Sequence, residues 1–425
     1  MNTAFLFPGQ GTQFIGMGKY FYDNYSPAKE IFEEANNALG FDLKEMCFNG
    51  DINELSLTEN AQPAILTVSY IMFRFFMDKF QFAPKYLAGH SLGEYVALTC
   101  AEAIPFAEAI KVVHQRGKFM QEAINGSTGK MLAIKRNDID STFIERECTK
   151  ESIGDESVVI SNYNSPNELV ISGHAEAVSR VEAKVLSMGM NAVPLKVSAP
   201  FHSPLMKSAA IKMERVLEDC EFKIPRWPII SNVSALPYRY EDDIVEHMTA
   251  QMISPVRWQE SMEYLENQDV TVVIEFGPKG ILKKLTKENA SKIDVYSFSI
   301  EEDIEKFTNL FESSWKERKL DFITKCIATA ICTKNNNDIE EEYQKGFVEP
   351  YRAVKELEKN LRERNVDPES VQLQQALTML ESTFKTKQTP LDEQAERYEE
   401  LFYSTGMLSF FSESTLPAVL KQQRG

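Results

Sequence analysis

A chain of 425 residues with 43% hydrophobic residues is long enough for two or three domains with full cores. Its formal net charge of −17 runs against a nucleic-acid partner, which calls for a basic face, and against docking on an anionic membrane. The cysteines at 47, 100, 148, 220, 326 and 332 are scattered without a CxxC pair, so no metal site or disulfide framework is expected, and free thiols fit a reducing cytosol.

The opening Met1–Gln10 has no basic segment, and Pro8 and Gly9 cut its apolar run short, so it does not read as a signal peptide. The run 70–76 carries Arg74 and is too short to span a bilayer. A soluble, cytoplasmic protein is expected. Strands are predicted at Thr3–Phe7, 86–88, 228–232 and 270–276, and helices at 29–39, 63–79, 92–101 and 105–124. This alternation points to an α/β domain with a parallel sheet.

Residues 127–197 change rhythm. Strands at 131–135, 158–162, 169–172 and 191–197 and helices at 138–148 and 175–188 give the β-α-β-β-α-β order of a ferredoxin-like subdomain. Gly126, Ser127, Thr128 and Gly129 would hinge it into a large domain made of 1–126 and 198–300. Beyond 300 the pattern is helical and charged (304–319, 339–364, 370–384, Leu391–Thr405), with breaks at Asn335–Asn337 and Pro368. No catalytic constellation shows in this 301–425 extension.

The chemistry gathers around Gly89-His90-Ser91-Leu92-Gly93. It fits G-x-S-x-G, the strand-to-helix turn that lifts a serine hydroxyl into a cleft, and the flanking pattern supplies the strand and the helix. A nucleophilic serine needs a base. His90 is too close in the turn, and His114, His174 and His247 lie in helical or polar stretches that favour structural roles. His202 follows a strand between Pro200 and Pro204, where a stiff loop would hold a base accurately. Arg116 admits two readings: a surface arginine with a snorkelling stem, or a planar fork that clamps a substrate carboxylate. Phe7-Pro8-Gly9-Gln10-Gly11 is either a plain strand-ending turn or half of an oxyanion hole; no P-loop lysine follows.

Taken in order, Phe7–Gly11, Gln62-Pro63-Ala64, Gly89–Glu94, Gln115-Arg116-Gly117, Asn162–Pro166, Phe201-His202-Ser203, Pro255–Trp258 and Glu275–Pro278 resemble the malonyl-CoA:acyl-carrier-protein transacylases across about residues 1–300. The resemblance implies a hydrolase-like parallel-sheet large domain with the ferredoxin-like insert. It implies Ser91 as nucleophile and His202 as base, with the histidine held by the backbone carbonyl of Gln251 in place of a carboxylate. The N–H groups of Gln10 and Leu92 would form the oxyanion hole, Arg116 would pair with the malonyl carboxylate, and Gln62 and Asn162 would line the pocket. Phe201 resembles the malonyl-selective pattern and would crowd an α-methyl group. The implied reaction is ping-pong, from malonyl-CoA to the phosphopantetheine thiol of an acyl carrier protein, with no metal or redox cofactor.

The extension is foreign to housekeeping fatty-acid enzymes of this kind. It resembles the longer free-standing, trans-acting acyltransferases of polyketide and hybrid lipopeptide assembly lines. Family carrier proteins are acidic, so a local basic patch must offset the −17; Lys283, Lys284 and Lys287 are candidates, with a solvated helix face as the alternative. Rival functions are a housekeeping fatty-acid malonyl transacylase, an acyl hydrolase that clears stalled carriers, and an idle docking subunit.

Overall fold

The computed structural model describes residues 1–123, 129–195, 199–412 and 415–424. The expected hinge residues 126–128, and the end of the expected strand 191–197, lie outside them. The chain divides into two compact units, one of residues 1–75 and 84–304, the other of residues 76–83 and 305–425. The small antiparallel sheet belongs to the first unit. The second takes in residues 76–83, which the sequence assigned to the large domain.

In the first unit, strands β1 (Thr3–Phe7), β2 (Tyr86–Gly89), β7 (Ile229–Ile230), β8 (Val272–Glu275) and β9 (Asp294–Ser297) form a parallel five-stranded sheet in the order β7-β2-β1-β8-β9. Every residue of β1 is buried, as a central strand covered on both faces requires. Phe5 and Phe7 pack against Phe73 and Phe276 on one face. Ala4 and Leu6 join Ile230, Val256, Trp258 and Val273 on the other. The edge strand β9 was not anticipated, because its polar ends mask a short buried centre.

Strands β3 (Gly129–Lys135), β4 (Val158–Ser165), β5 (Glu168–His174) and β6 (Asn191–Pro194) form an antiparallel sheet in the order β4-β5-β3-β6. Helices Ser141–Glu151 and Ala175–Ser187 cover it through Ile144, Val178, Val181 and Val185. The element order is the β-α-β-β-α-β expected. Strand β4 outruns its expected end, with register irregularities between Ile160 and Asn162 and between Tyr163 and Ser165. Its Tyr163 N–H and Ser161 carbonyl pair with Val256 of the large-domain segment.

Helix Thr58–Phe80 begins a turn before the expected start, leaving Pro63 inside it. Proline has no N–H for the carbonyl four residues back. That carbonyl, Glu59 O, instead accepts from His114 Nδ1 at 2.8 Å, which gives His114 a structural role.

The second unit is helical. The single helix expected over 304–319 is two, Glu301–Ser313 and Trp315–Cys332, because the apolar period runs on through the break at Ser314. The expected 339–364 helix carries a wide turn at Gln344–Val348 before Glu349–Glu363. Helices Ser370–Thr386 and Leu391–Thr405 complete a core that includes Phe322, Ile323, Leu377, Leu380 and Phe402. Among the described residues no helix is long and apolar enough to cross a membrane.

Candidate active site

Strand β2 ends at Gly89, and the chain turns through Ser91 at φ 53° into helix Leu92–Cys100. A positive φ on a non-glycine residue is costly, and here the surroundings enforce it. A Cβ on Gly89 would lie 1.9 Å from the Gly93 carbonyl carbon, and one on Gly93 would lie 1.9 Å from Phe7 O. The two glycines therefore let the elbow close on the end of β1. Asn232 fastens it: its Oδ1 accepts the Ser91 N–H at 2.7 Å, and its Nδ2 donates to Gly89 O at 2.6 Å. Leu92 opens the helix, in the first turn, where N–H groups have no intrahelical acceptor.

Ser91 Oγ lies 2.8 Å from His202 Nε2, and His202 Nδ1 lies 2.7 Å from Gln251 O. A carbonyl can only accept, so Nδ1 carries the proton and Nε2 is free to take one from the serine. Burial, joined by the positive charge of Arg116, holds the imidazole pKa down at about 3. His202 is thus a neutral base throughout the ordinary pH range. The remaining histidines are engaged elsewhere. His174 Nδ1 accepts the Ser157 N–H, His247 meets Ser231 Oγ, and His90 Nε2 reaches Asn164 Oδ1 at 2.9 Å.

Of the two readings of Arg116, the surface one fails: the side chain is 1% exposed. Its Nη1 donates to Gln62 Oε1 at 2.9 Å, and its Nη2 donates to Gln251 Oε1 at 2.9 Å and to Ser91 Oγ at 3.1 Å. Gln62 corrects an expectation. It is fully buried and, like Arg116 itself, is not among the residues lining the cleft; it reaches the site through its hydrogen bond to the guanidinium.

The cleft holds about 440 Å³. Gln10, His90, Ser91, Asn162, Phe201 and His202 line it, with Leu282 and Leu285 of helix Ile281–Asn289. That helix is anchored by Glu275, whose carboxylate accepts the Leu282 and Lys283 N–H groups at 2.9 Å each. The expected basic patch is not a unit. Lys283 Nζ is bound to Asp303 at 2.7 Å, Lys287 Nζ donates to Ile293 O at 2.7 Å, and Lys284 alone of the three lines the cleft.

Sequence reasoning missed Glu94, Asn164, Asn232 and Tyr238. Glu94 and Asn164 stand inside motifs already singled out, and their burial was the missing clue. Asn232 and Tyr238 reach the elbow from far along the chain and carry no local signal.

Residues 4–309 match the acyl transferase domain family. A Bacillus subtilis malonyl CoA-acyl carrier protein transacylase is 40% identical over 395 residues, 92% of this chain and 98% of that protein, an alignment too long to stop at the first unit. The enzyme of the same name from Escherichia coli strain K12 is 42% identical over 285 residues, 67% of this chain and 91% of that protein. Among solved structures, a malonyl-transacylase in complex with its type II PKS acyl-carrier protein superimposes with a TM-score of 0.69 at 37% identity, over 72% of this chain and 98% of that one. With the elbow, the buried histidine and the arginine in place, these likenesses put the chain in the malonyl CoA-acyl carrier protein transacylase family.

Proposed function

We propose that this protein moves malonyl from malonyl-CoA to the phosphopantetheine thiol of an acyl carrier protein through a Ser91 acyl-enzyme. The convergence of Ser91, neutral His202 and buried Arg116 on one point carries the reading. As Ser91 Oγ attacks the thioester carbonyl, His202 Nε2 takes its proton and the Oγ–C bond forms. The N–H groups of Gln10 and Leu92 receive the oxyanion. The C–S bond then breaks, His202 returns the proton to the departing coenzyme A sulfur, and the carrier thiol repeats the sequence in reverse. Each step uses only nucleophilic and acid–base groups, with no metal or redox cofactor.

Arg116 supplies the selectivity. Its partners are neutral oxygens, and a malonyl carboxylate makes a stronger, charge-assisted pair with the same N–H groups. Phe201 and Asn162 on the cleft wall narrow the space around the acyl group.

We read the protein as acting in trans in the cytoplasm for a polyketide or hybrid lipopeptide synthase. The support is the second unit, which the Bacillus subtilis relative's alignment extends into and the Escherichia coli one is too short to span whole. The test is a comparison of malonyl discharge onto holo carriers excised from such a synthase and onto the fatty-acid carrier of the same cell. Faster discharge to the synthase carriers is expected; the reverse preference identifies a housekeeping enzyme.

A further inference from the structure

Behind the reacting pair lies a carboxylate that none of these steps uses. Glu94, in the first turn of helix Leu92–Cys100, is fully buried. Its oxygens accept from the Tyr238 hydroxyl, from Gln251 Nε2 at 2.7 Å and from the Asn232 N–H at 3.2 Å. Burying a carboxylate among neutral donors is expensive, so its presence beside the elbow calls for a reason.

Gln251 supplies it. Its Nε2 donates to Glu94 and, at 3.1 Å, to Ser91 O; its Oε1 accepts from Arg116; its backbone carbonyl holds His202 Nδ1. A flipped carboxamide would aim its NH₂ group at the guanidinium and its oxygen at the carboxylate. Glu94 on one side and Arg116 on the other therefore permit one orientation. There is also a charge argument. When His202 takes the serine proton it becomes a cation close to the Arg116 cation. In a Ser-His-Asp triad the acid offsets the imidazolium. A neutral carbonyl fills that place here, and the negative charge of the network sits one residue further back, on Glu94.

We propose that Glu94 is a positioning residue and remote counter-charge for the Ser91–His202 pair, acting through Gln251 and held in place by the Tyr238 hydroxyl. The proposal rests on Ser91 and His202 being the reacting pair. It does not depend on which acyl group they carry. Burial pushes the Glu94 carboxyl up to about 7, with the Tyr238, Gln251 and Asn232 donors pulling it back. The other titratable groups around it are Tyr238 and Tyr95, both raised by burial, Arg116 beyond Gln251, and His247 against the Tyr238 ring at 5.4 Å. His202 ionises far lower, so it does not supply a change in reactivity near neutrality. Glu275, which burial also raises to about 7, anchors the cleft helix, so loss of the change in Glu94→Gln is what assigns it to Glu94.

The experiment follows phenylmethanesulfonyl fluoride, a neutral serine reagent, reacting with Ser91 of the full chain from about pH 5 to about pH 9, read by intact mass. The wild-type rate should climb as pH rises through about 7, where Glu94 ionises. Glu94→Gln keeps the shape and loses the charge. It should lose that climb and run slower on the alkaline side by up to roughly a hundredfold, the scale of a misplaced reacting group. Tyr238→Phe removes a donor from the carboxylate and should move the climb to higher pH. A Glu94→Gln protein with the wild-type climb overturns the proposal. If that variant does not fold, an unmoved climb in Tyr238→Phe overturns it alone. No reaction at wild-type Ser91 overturns the reacting pair and the proposal with it. The reagent needs neither malonyl-CoA nor a carrier, so a normal climb with no malonyl transfer condemns only the functional reading.

Discussion

Arg116 Nη2 lies 3.1 Å from Ser91 Oγ, so a buried cation and the hydroxyl at the elbow share a hydrogen bond. The guanidinium donates to three neutral oxygens, Gln62 Oε1, Gln251 Oε1 and Ser91 Oγ, and lies 5.3 Å from the centre of the Tyr95 ring. On the proposed reading, a substrate carboxylate meets the Nη2 that faces Ser91 and forms a charge-assisted pair stronger than the one to the neutral Oγ, with the bond to Gln251 kept. A neutral acyl group leaves the arginine where it is.

Arg116→Ala is therefore expected to slow malonyl loading of Ser91 by about 2 kcal/mol or more, roughly thirtyfold, the worth of a hydrogen bond to a charged group. Loading from acetyl-CoA should change much less. Single-turnover loading with the two thioesters measures the ratio, and an equal loss for both removes Arg116 from the selectivity.

The protonation of His202 can be checked directly. Selective ¹⁵N-histidine NMR should show it neutral, with the proton on Nδ1, throughout the pH range in which the fold is stable, since its pKa is held near 3. The folded value lies below the unfolded one, so the unfolded chain binds more protons as pH falls below about 6.5. This residue thus removes stability on acidification, and His202→Gln should flatten that part of the pH–stability curve. An imidazolium signal at neutral pH contradicts the assignment.

The elbow allows no side chain at Gly93, where a Cβ would sit 1.9 Å from Phe7 O. Both parties are backbone and neither can step aside. Gly93→Ala should cost about 3 kcal/mol or more, at the upper end for overpacking. Denaturant unfolding measures this, and a loss below about 1 kcal/mol implies a looser elbow than the one described.

In the second unit, Phe307 is fully buried, its ring 5.6 Å from Phe76 and 5.1 Å from Phe80. Phe307→Ala should cost about 3–5 kcal/mol, seen as an earlier unfolding transition. The same contacts make deletion of 301–425 a poor probe of docking, since Phe76 and Phe80 would lose apolar cover. Point substitutions on the exposed helix faces of the unit are the cleaner route.

Much of this was legible because the signals are local. Thr3–Phe7 reads as a buried strand, Gly89–Gly93 as an elbow, and Leu391–Thr405 as a helix, each from its own pattern of apolar residues and glycines. Contacts set by the chain's return were harder: Ser91, His202 and Gln251 came together only through the motif resemblance, and the depth of a residue in the fold was not legible. Gln62 was placed on the cleft wall because its motif stands in the right order, yet order along the chain does not say which layer a residue occupies. Arg116 could not be told from a surface arginine until Gln62 and Gln251 were seen around it. The second helix from Trp315 was hidden because one turn at Ser314 hardly disturbs an apolar period.

The most direct measurement is the intact mass of the purified protein after brief exposure to malonyl-CoA, methylmalonyl-CoA or acetyl-CoA, followed by a holo carrier protein. The account predicts a malonyl adduct that is absent in Ser91→Ala and is discharged onto the carrier, with little loading from the other two thioesters. No adduct on the wild-type protein, with free acid released from acyl-carriers instead, would contradict it and make the protein a hydrolase.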